Sequence, residues 1–174
     1  MKSVGALKRV LTLDPQDDEA MGMLSDAMMQ AKHVDEAIEA GRHANQLAPH
    51  KASHLLRLGK LCGAVGQLDA ALAHLQTARE IEPQEAEIAR EMGLVYERRN
   101  QPHRALELYQ ELIQLQPGIA DNFFLAGLAA KSMRDYVEAA HFFKRASELD
   151  PGNLEIQKQR LAVSASGILK MVSG

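Results

Sequence analysis

Histidines are the side chains of this 174-residue chain that first suggest chemistry, since it contains seven of them. His50 and His54 are four residues apart, a spacing that brings two imidazoles to one metal ion when both lie on one helix. Pro49 precedes them at the start of a new helix, so we do not expect the two to share a helical turn. The chain has neither a Cys-x-x-Cys nor a His-Glu-x-x-His motif. We therefore predict no metal site.

Cys62, the single cysteine, is the other candidate for chemistry, as a nucleophile. At intervals of 34 residues it aligns with three other residues, Met28, Tyr96 and Ala130. We predict that this position belongs to the hydrophobic core, where a cysteine behaves as a small hydrophobe. The glycines form no phosphate-binding loop. We therefore predict that the chain is not an enzyme and binds no cofactor.

The same interval separates the prolines. Leaving Pro102 aside, each lies 34 residues from the next: Pro15, Pro49, Pro83, Pro117 and Pro151. A fixed period of this length is the signature of a protein built from stacked repeats. The proline cannot continue a helix, so it marks the end of each repeat.

Each repeat is predicted to be a pair of amphipathic helices. Residues 12, 8 and 5 before the proline share one helical face, as do residues 28, 25, 24 and 21 before it. The first helices are expected at 18–31, 52–65, 86–99 and 120–133. The second helices are expected at 34–47, 68–81, 102–115 and 136–149. Gly66 and Asn100 lie in the turns between them, where a positive φ is accessible to these residues.

Small and large residues recur at fixed positions. Gly59, Gly93 and Gly127 stand 24 residues before their prolines, which lets two helices cross closely. Eight residues before the proline stand Leu75, Tyr109 and Phe143. The first repeat departs at both positions, with Ser25 and Gly41.

This pattern resembles the tetratricopeptide repeat (TPR) family in period, helix-turn-helix unit, small-residue positions and proline. The resemblance implies an all-α fold, a right-handed α-solenoid of stacked helix-turn-helix repeats. We predict a single TPR domain over residues 1–174. It comprises a half repeat at 1–17, full repeats at 18–51, 52–85, 86–119 and 120–153, and a C-terminal capping helix at 154–174.

The resemblance also implies that the first helices line a concave groove that binds a protein or peptide. Its exposed face should carry the residues 30, 27, 23 and 20 before each proline, a face that includes Glu97. The predicted partner-binding residues on or beside this face are Leu56, Lys60, Arg90, Leu94, Arg98, Phe124, Leu128 and Lys131. Apolar side chains rimmed by charge are typical of binding surfaces.

The partner is expected to carry apolar anchors and some acidic character. Phe124 has no predicted core partner, so we expect it to anchor an apolar residue together with Leu128. Arg90 and Lys131 are expected to hold acidic groups nearby. Changing Phe124 to alanine should then weaken binding and leave stability nearly unchanged.

Some TPR proteins grip the C-terminal carboxylate of heat-shock chaperones with lysine, arginine and asparagine side chains in the groove. Here Gly22 and Asp26 stand where the first lysine and asparagine of that clamp would be. Arg57 or Glu91 occupies the position of its central asparagine. We therefore predict no binding of chaperone C-termini.

Composition narrows the remaining classes. The net charge of −3 and the pI of about 6.2 argue against a nucleic-acid partner, which requires a basic patch. No apolar stretch approaches the roughly 18 residues of a membrane helix. Lys8, Arg9 and Asp14 interrupt the N-terminus before a secretory signal can form. One cysteine excludes an internal disulfide. We expect a soluble, cytoplasmic protein with no membrane partner.

Three functions fit this sequence. The first is a free-standing adaptor that binds a peptide or protein segment in its groove. The second is a regulatory or targeting arm of a larger enzyme, such as a transferase or kinase. The third is a structural scaffold that self-associates through the half repeat and the capping helix at its ends.

Overall fold

The computed structural model describes residues 4–172, with side chains described from residue 4 to residue 164. This part of the chain contains ten α-helices and no strand. The helices are α1 Val4–Leu13, α2 Asp18–Gln30, α3 Val34–Leu47, α4 Ala52–Ala64, α5 Leu68–Ile81, α6 Ala86–Arg98, α7 Pro102–Leu115, α8 Ala120–Ser132, α9 Tyr136–Leu149 and α10 Leu154–Val172. The all-α prediction is confirmed. The second helix of each repeat has the predicted bounds, and each first helix ends one residue earlier than predicted.

The chain divides into two compact units, which are described separately. The N-terminal unit extends to Glu91 and the C-terminal unit begins at Met92. Leu7 of the half repeat is buried in a core cluster of the N-terminal unit with Leu24 and Met28 of α2. In the C-terminal unit, α10 contributes the buried side chains of Ile156 and Val163. These two lie seven residues apart, on one face of the helix.

The turns within the repeats share one backbone conformation. Positive φ angles occur at 34-residue intervals, at Lys32 (64°), Gly66 (83°), Asn100 (57°) and Arg134 (62°). In each turn the next amide donates to the carbonyl five residues earlier, as Gln67 N does to Cys62 O at 2.9 Å. This is the bond that closes a helix through a left-handed residue. The predictions for Gly66 and Asn100 are confirmed, and Lys32 and Arg134 adopt the same conformation without being glycine or asparagine.

Helix pairs in the last three repeats cross at a glycine. A Cβ on Gly59 would lie 2.5 Å from Cγ of Leu75, and one on Gly127 would lie 2.7 Å from Cε1 of Phe143. A Cβ on Gly93 would overlap the ring of Tyr109 in the same way. The large residue of the second helix therefore fills the space that glycine leaves on the first.

In the first repeat the first-helix residue at the crossing is larger than glycine, and the second-helix residue is the small one. Ser25 takes the place of the glycine, is fully buried and donates its hydroxyl to Ala37 O at 2.7 Å. Gly41 takes the place of the large residue, and a Cβ there would lie 3.0 Å from Cδ2 of Leu58. The larger first-helix residue is thus accompanied by a smaller second-helix residue, and Leu58 of the following repeat fills the space.

Cys62 belongs to the core, as predicted. It is 2% exposed, and burial raises the pKa of its thiol despite the nearby charge of Arg42. A protonated, buried thiol is a poor nucleophile.

Candidate functional site

The predicted groove residues all lie on or at the end of the first helices α4, α6 and α8. Lys60 and Arg98 are exposed. The remaining six are half-buried: Leu56, Arg90, Leu94, Phe124, Leu128 and Lys131. The surface is therefore one of partly covered side chains, whose polar and packing contacts decide what each can offer to a partner.

Lys60 is already engaged within the N-terminal unit. Its Nζ lies 2.7 Å from Glu87 Oε1 and 3.5 Å from Glu91 Oε1. Burial by itself would lower the pKa of Lys60, but the bond to Glu87 and the charge of Glu91 raise it. Burial raises the pKa of Glu91, and Lys60 offsets part of that shift. Lys60 therefore joins two first helices and is less available to an acidic partner than the sequence suggests.

A second polar contact joins α2 and α4 in the same unit. His54 is fully buried, and its Nε2 lies 2.7 Å from Asp18 Oδ2 while its Nδ1 lies 3.0 Å from Arg57 Nη1. Because arginine can only donate, Nδ1 must accept, so the proton is on Nε2 and is donated to Asp18. Arg57 also donates through Nε to Asp26 at 3.0 Å. Its guanidinium passes directly over Gly22, where a Cβ would overlap it.

Three side chains of metal-ligating type lie close together at this contact. One ligand atom from each of Asp18, Glu19 and His54 falls within 4.8 Å of the others. The ammonium of Lys51 binds both carboxylates. Its hydrogen bond to Asp18, followed by that of His54, lowers the pKa of that carboxyl. The lysine thus supplies the positive charge that a metal ion would bring, and the group is better described as an ion-pair network.

The ring of Phe124 packs against the core, so the expectation that it has no core partner is wrong. Its ring centroid is 5.8 Å from that of Phe143, with the planes tilted by 52°, and Phe143 is fully buried. Phe124 also packs against the clusters that contain Ile156 and Val163 of α10. The capping helix and α9 therefore provide the core partners that the repeat pattern did not predict. Phe124 lies at the edge of the core, and only its uncovered part can meet a partner.

The C-terminal unit contains a cavity of about 460 Å³ on the first-helix side. It is lined by Glu97, Asn100, Pro102, Leu128, Lys131 and Ser132. Three of these, Glu97, Leu128 and Lys131, occupy groove positions assigned from the repeat register. The structure thus brings together residues that the sequence placed on one face of two successive first helices.

Charge and apolar surface meet within this cavity. Burial raises the pKa of Glu97, and the nearby hydroxyl of Tyr109 offsets part of the shift. Lys131 donates from Nζ to Oε1 of Gln159, on α10, at 2.7 Å. Leu128 is half-buried against the core cluster around Phe143. The cavity therefore combines a carboxylate, an ammonium group held by a neutral amide, and an apolar wall.

Two ion pairs that join successive first helices were not predicted from the repeat pattern. Asp26 and Arg57 are 31 residues apart, as are Lys60 and Glu91, and each pair carries opposite charges. That spacing is a signal that could have identified them. The network around His54 has no comparable signal, because Asp18 is 36 residues away on another helix.

No helix in the part of the chain that the structure describes is long and apolar enough to cross a membrane.

The model of the tetratricopeptide repeat family matches residues 51–120 and 90–154. No curated protein matches the sequence. The crystal structure of MamA is similar, with a TM-score of 0.77 and 28% identity over 85% of this chain and 86% of that one.

Two further solved structures have the same fold. TTC0263, a thermophilic TPR protein of Thermus thermophilus, aligns with a TM-score of 0.76 and 21% identity over 93% of this chain and 89% of its own. YrrB, described as a TPR protein with an unusual peptide-binding site, aligns with a TM-score of 0.75 and 19% identity. That alignment covers 89% of this chain and 80% of YrrB.

Proposed function

Because the chain belongs to the tetratricopeptide repeat family, we propose that it is a non-catalytic adaptor that holds a segment of another protein against its first helices. The fold of this family is that of a protein-interaction scaffold, in which stacked helix pairs present an extended binding surface. A reducing, cytoplasmic compartment suits the single buried thiol of Cys62.

The observation that carries this proposal is the cavity between α6 and α8. Glu97, Leu128 and Lys131 line it, and all three hold positions that face the groove by repeat register. A concave site with an apolar wall and a few convergent polar groups is the usual form of a binding site. A partner bound in this cavity would therefore contact the first-helix face that the repeat register assigns to the groove.

The proposed partner segment carries an apolar residue and an acidic residue. The apolar residue packs on Leu128 and on the uncovered edge of Phe124. The acidic residue replaces Gln159 as the partner of Lys131, which gains a charge-assisted bond in exchange for a neutral one. Leu94 of α6 offers a further half-buried apolar side chain in the C-terminal unit, and Leu56 and Arg90 offer half-buried side chains within the N-terminal unit. Lys60 contributes less, because two glutamates hold it.

Selection from a displayed library of random peptides on the purified chain tests the proposal. We expect enriched peptides to share an apolar residue and an acidic residue, and to bind in calorimetry. Leu128→Ala should weaken this binding at least fivefold, as buried anchors do. The matched control is Val137→Ala on α9, which removes an apolar side chain that is 80% exposed. Melting curves verify that both variants fold.

Two outcomes would contradict the proposal. One is the failure of any peptide to be enriched over a blank surface. The other is an equal loss of peptide affinity in Leu128→Ala and Val137→Ala, which would show that the peptide does not bind at the first helices.

A further inference from the structure

Successive first helices are joined through one recurring position, occupied at 34-residue intervals by Arg57, Glu91, Leu125 and Gln159. Arg57 binds Asp26 of the preceding first helix. Glu91 lies 3.5 Å from Lys60. Gln159 accepts a hydrogen bond from Lys131 at 2.7 Å. Where this position is polar, it therefore serves a charged side chain of the helix before it.

The exception is the contact between α6 and α8. Glu97 and Lys131 hold equivalent positions one repeat apart, so the residue that corresponds to Gln159 for Glu97 is Leu125. Leu125 is apolar and 7% exposed, and it can neither donate to a carboxylate nor carry a counter-charge. Glu97 is thus a groove carboxylate whose partner position in the repeat has been lost.

The surroundings of Glu97 compensate only in part. Burial raises its pKa, and the hydroxyl of Tyr109 opposes this shift. Within the described residues, Glu97 forms no ion pair with a lysine or arginine. A half-buried carboxylate without a cation gains from any cationic group that can reach it. The open cavity in front of Glu97 leaves room for one.

We propose that this cavity binds the side chain of a lysine or arginine in the partner segment, with Glu97 as its counter-ion. The aliphatic stem of that side chain lies along Leu128 and Pro102, as such stems do on apolar surface. Asn100 and Ser132 offer polar atoms at the rim. The proposal rests on the proposed function and adds a basic residue to the segment, next to its apolar and acidic residues.

Lys131 is the group that opposes a cation here. It lines the same cavity, and Gln159 holds its ammonium toward α10. Removing its charge should therefore favour a basic ligand. Lys131→Gln is expected to strengthen binding, whereas Glu97→Gln is expected to weaken it. A nonspecific effect of mutation would not produce opposite changes in the two variants.

The experiment titrates N-acetyl-lysine amide and N-acetyl-arginine amide into the 15N-labelled chain and follows its amide NMR signals. We expect saturable shifts at Asn100 and Ser132 with both probes, and none with N-acetyl-norleucine amide, which has a similar stem and no charge. Glu97→Gln should weaken the binding of both probes at least fivefold, and Lys131→Gln should strengthen it. Glu107→Gln, which removes an exposed glutamate of α7, should leave it unchanged.

The proposal is overturned by unchanged binding in Glu97→Gln, by equal shifts with the norleucine probe, or by the absence of shifts with both cationic probes. Peptide selection separates this failure from that of the proposed function. Enriched peptides that bind equally well to Glu97→Gln would leave the adaptor function standing and remove only the basic residue. Selection that yields no peptide would remove both.

Discussion

Gly93 is the residue at which the repeat packing is most sensitive to a single added methyl group. A Cβ there would overlap the ring of Tyr109, which is fully buried. We expect Gly93→Ala to destabilise the chain by about 1–3 kcal/mol, the usual cost of overpacking. Urea unfolding measures it. Gly5→Ala is the control, since nothing lies within 4 Å of that position, and it should be neutral or slightly stabilising. Equal effects would mean that the crossing is not tight.

Phe124 should behave as a residue at the edge of the core. Its ring packs on Phe143 and against clusters that contain Ile156 and Val163. Phe124→Ala is therefore expected to cost about 2–3 kcal/mol, somewhat less than full burial would give. This reverses the expectation of unchanged stability drawn from the repeat pattern. Thermal melting beside Val137→Ala, which should change little, decides between them. If Phe124→Ala melts at the same temperature as the wild type, Phe124 is solvent-exposed and does not belong to the core.

Glu97 gives the stability a definite dependence on pH. Burial raises its pKa in the folded chain, so ionised Glu97 costs stability above that folded pKa. The cost diminishes as pH falls through the folded pKa, and it is gone below the unfolded value of about 4.3. Glutamine has a similar shape and no charge. Glu97→Gln should therefore be more stable than the wild type at neutral pH, with the difference disappearing near about pH 4.

Urea unfolding at neutral and acidic pH measures this difference. Glu107→Gln should show no comparable trend, because that glutamate is exposed. A wild type that is the more stable protein at neutral pH would show that a cationic group already neutralises Glu97.

The turn within each repeat is a helix-ending element with one left-handed residue. Lys32 and Arg134 hold that conformation with a Cβ, at φ 64° and 62°, which costs a non-glycine residue about 1–2 kcal/mol. Glycine removes the strain but adds freedom to the unfolded chain, worth about 0.4–1 kcal/mol. Arg134→Gly should therefore stabilise the chain by about 0.5–1 kcal/mol.

The reciprocal substitution checks the assignment. Gly66→Ala introduces a Cβ at φ 83°, and should destabilise by about 1–2 kcal/mol. Chemical unfolding of both variants measures the change in the free energy of unfolding, which should increase in Arg134→Gly and decrease in Gly66→Ala. Destabilisation by Arg134→Gly would show that the arginine makes a contact worth more than the strain.

Beyond the last repeat, the described part of α10 exposes polar side chains beside the apolar Leu154 and Leu161. Helix α10 begins three residues after Pro151, just as α8 follows Pro117, so it takes the register of a first helix. The positions of α10 that would meet a further helix carry Gln157, which donates to Pro151 O at 2.5 Å, and Arg160, which donates to Ser147 Oγ at 3.3 Å. Polar terminal faces are what keep repeat proteins from stacking end to end.

We therefore expect the chain to remain monomeric, against the hypothesis of a self-associating scaffold. Light scattering over a wide range of concentrations should give a constant mass of 19.1 kDa. Leu161 is 67% exposed on α10 and is one of the apolar residues in the described part of that helix that could support association. A mass that rises with concentration, and returns to that of the monomer in Leu161→Gln, would favour the scaffold.

The helix bounds to within one residue, the turns, and the residues at which helices within a repeat cross could all be predicted from the amino-acid sequence. These features depend on local periodicity, on where proline ends a helix, and on which residues tolerate a positive φ. All three act over a few residues and recur every 34. Gly59 facing Leu75 and Gly66 in its turn could therefore be predicted from the chain alone.

The contacts that cover the predicted groove face could not be read from the repeat pattern and follow from the packing of the helices. Phe124 meets Phe143 and the clusters of α10, Lys60 is held by Glu87 and Glu91, and His54 joins Asp18 to Arg57. These contacts link side chains on different helices, often one repeat apart. The period states which residues are equivalent, but the stacking geometry of the helices sets which side chains touch. A half-buried side chain can turn toward a neighbouring helix or toward a partner, and that choice depends on the packed structure around it.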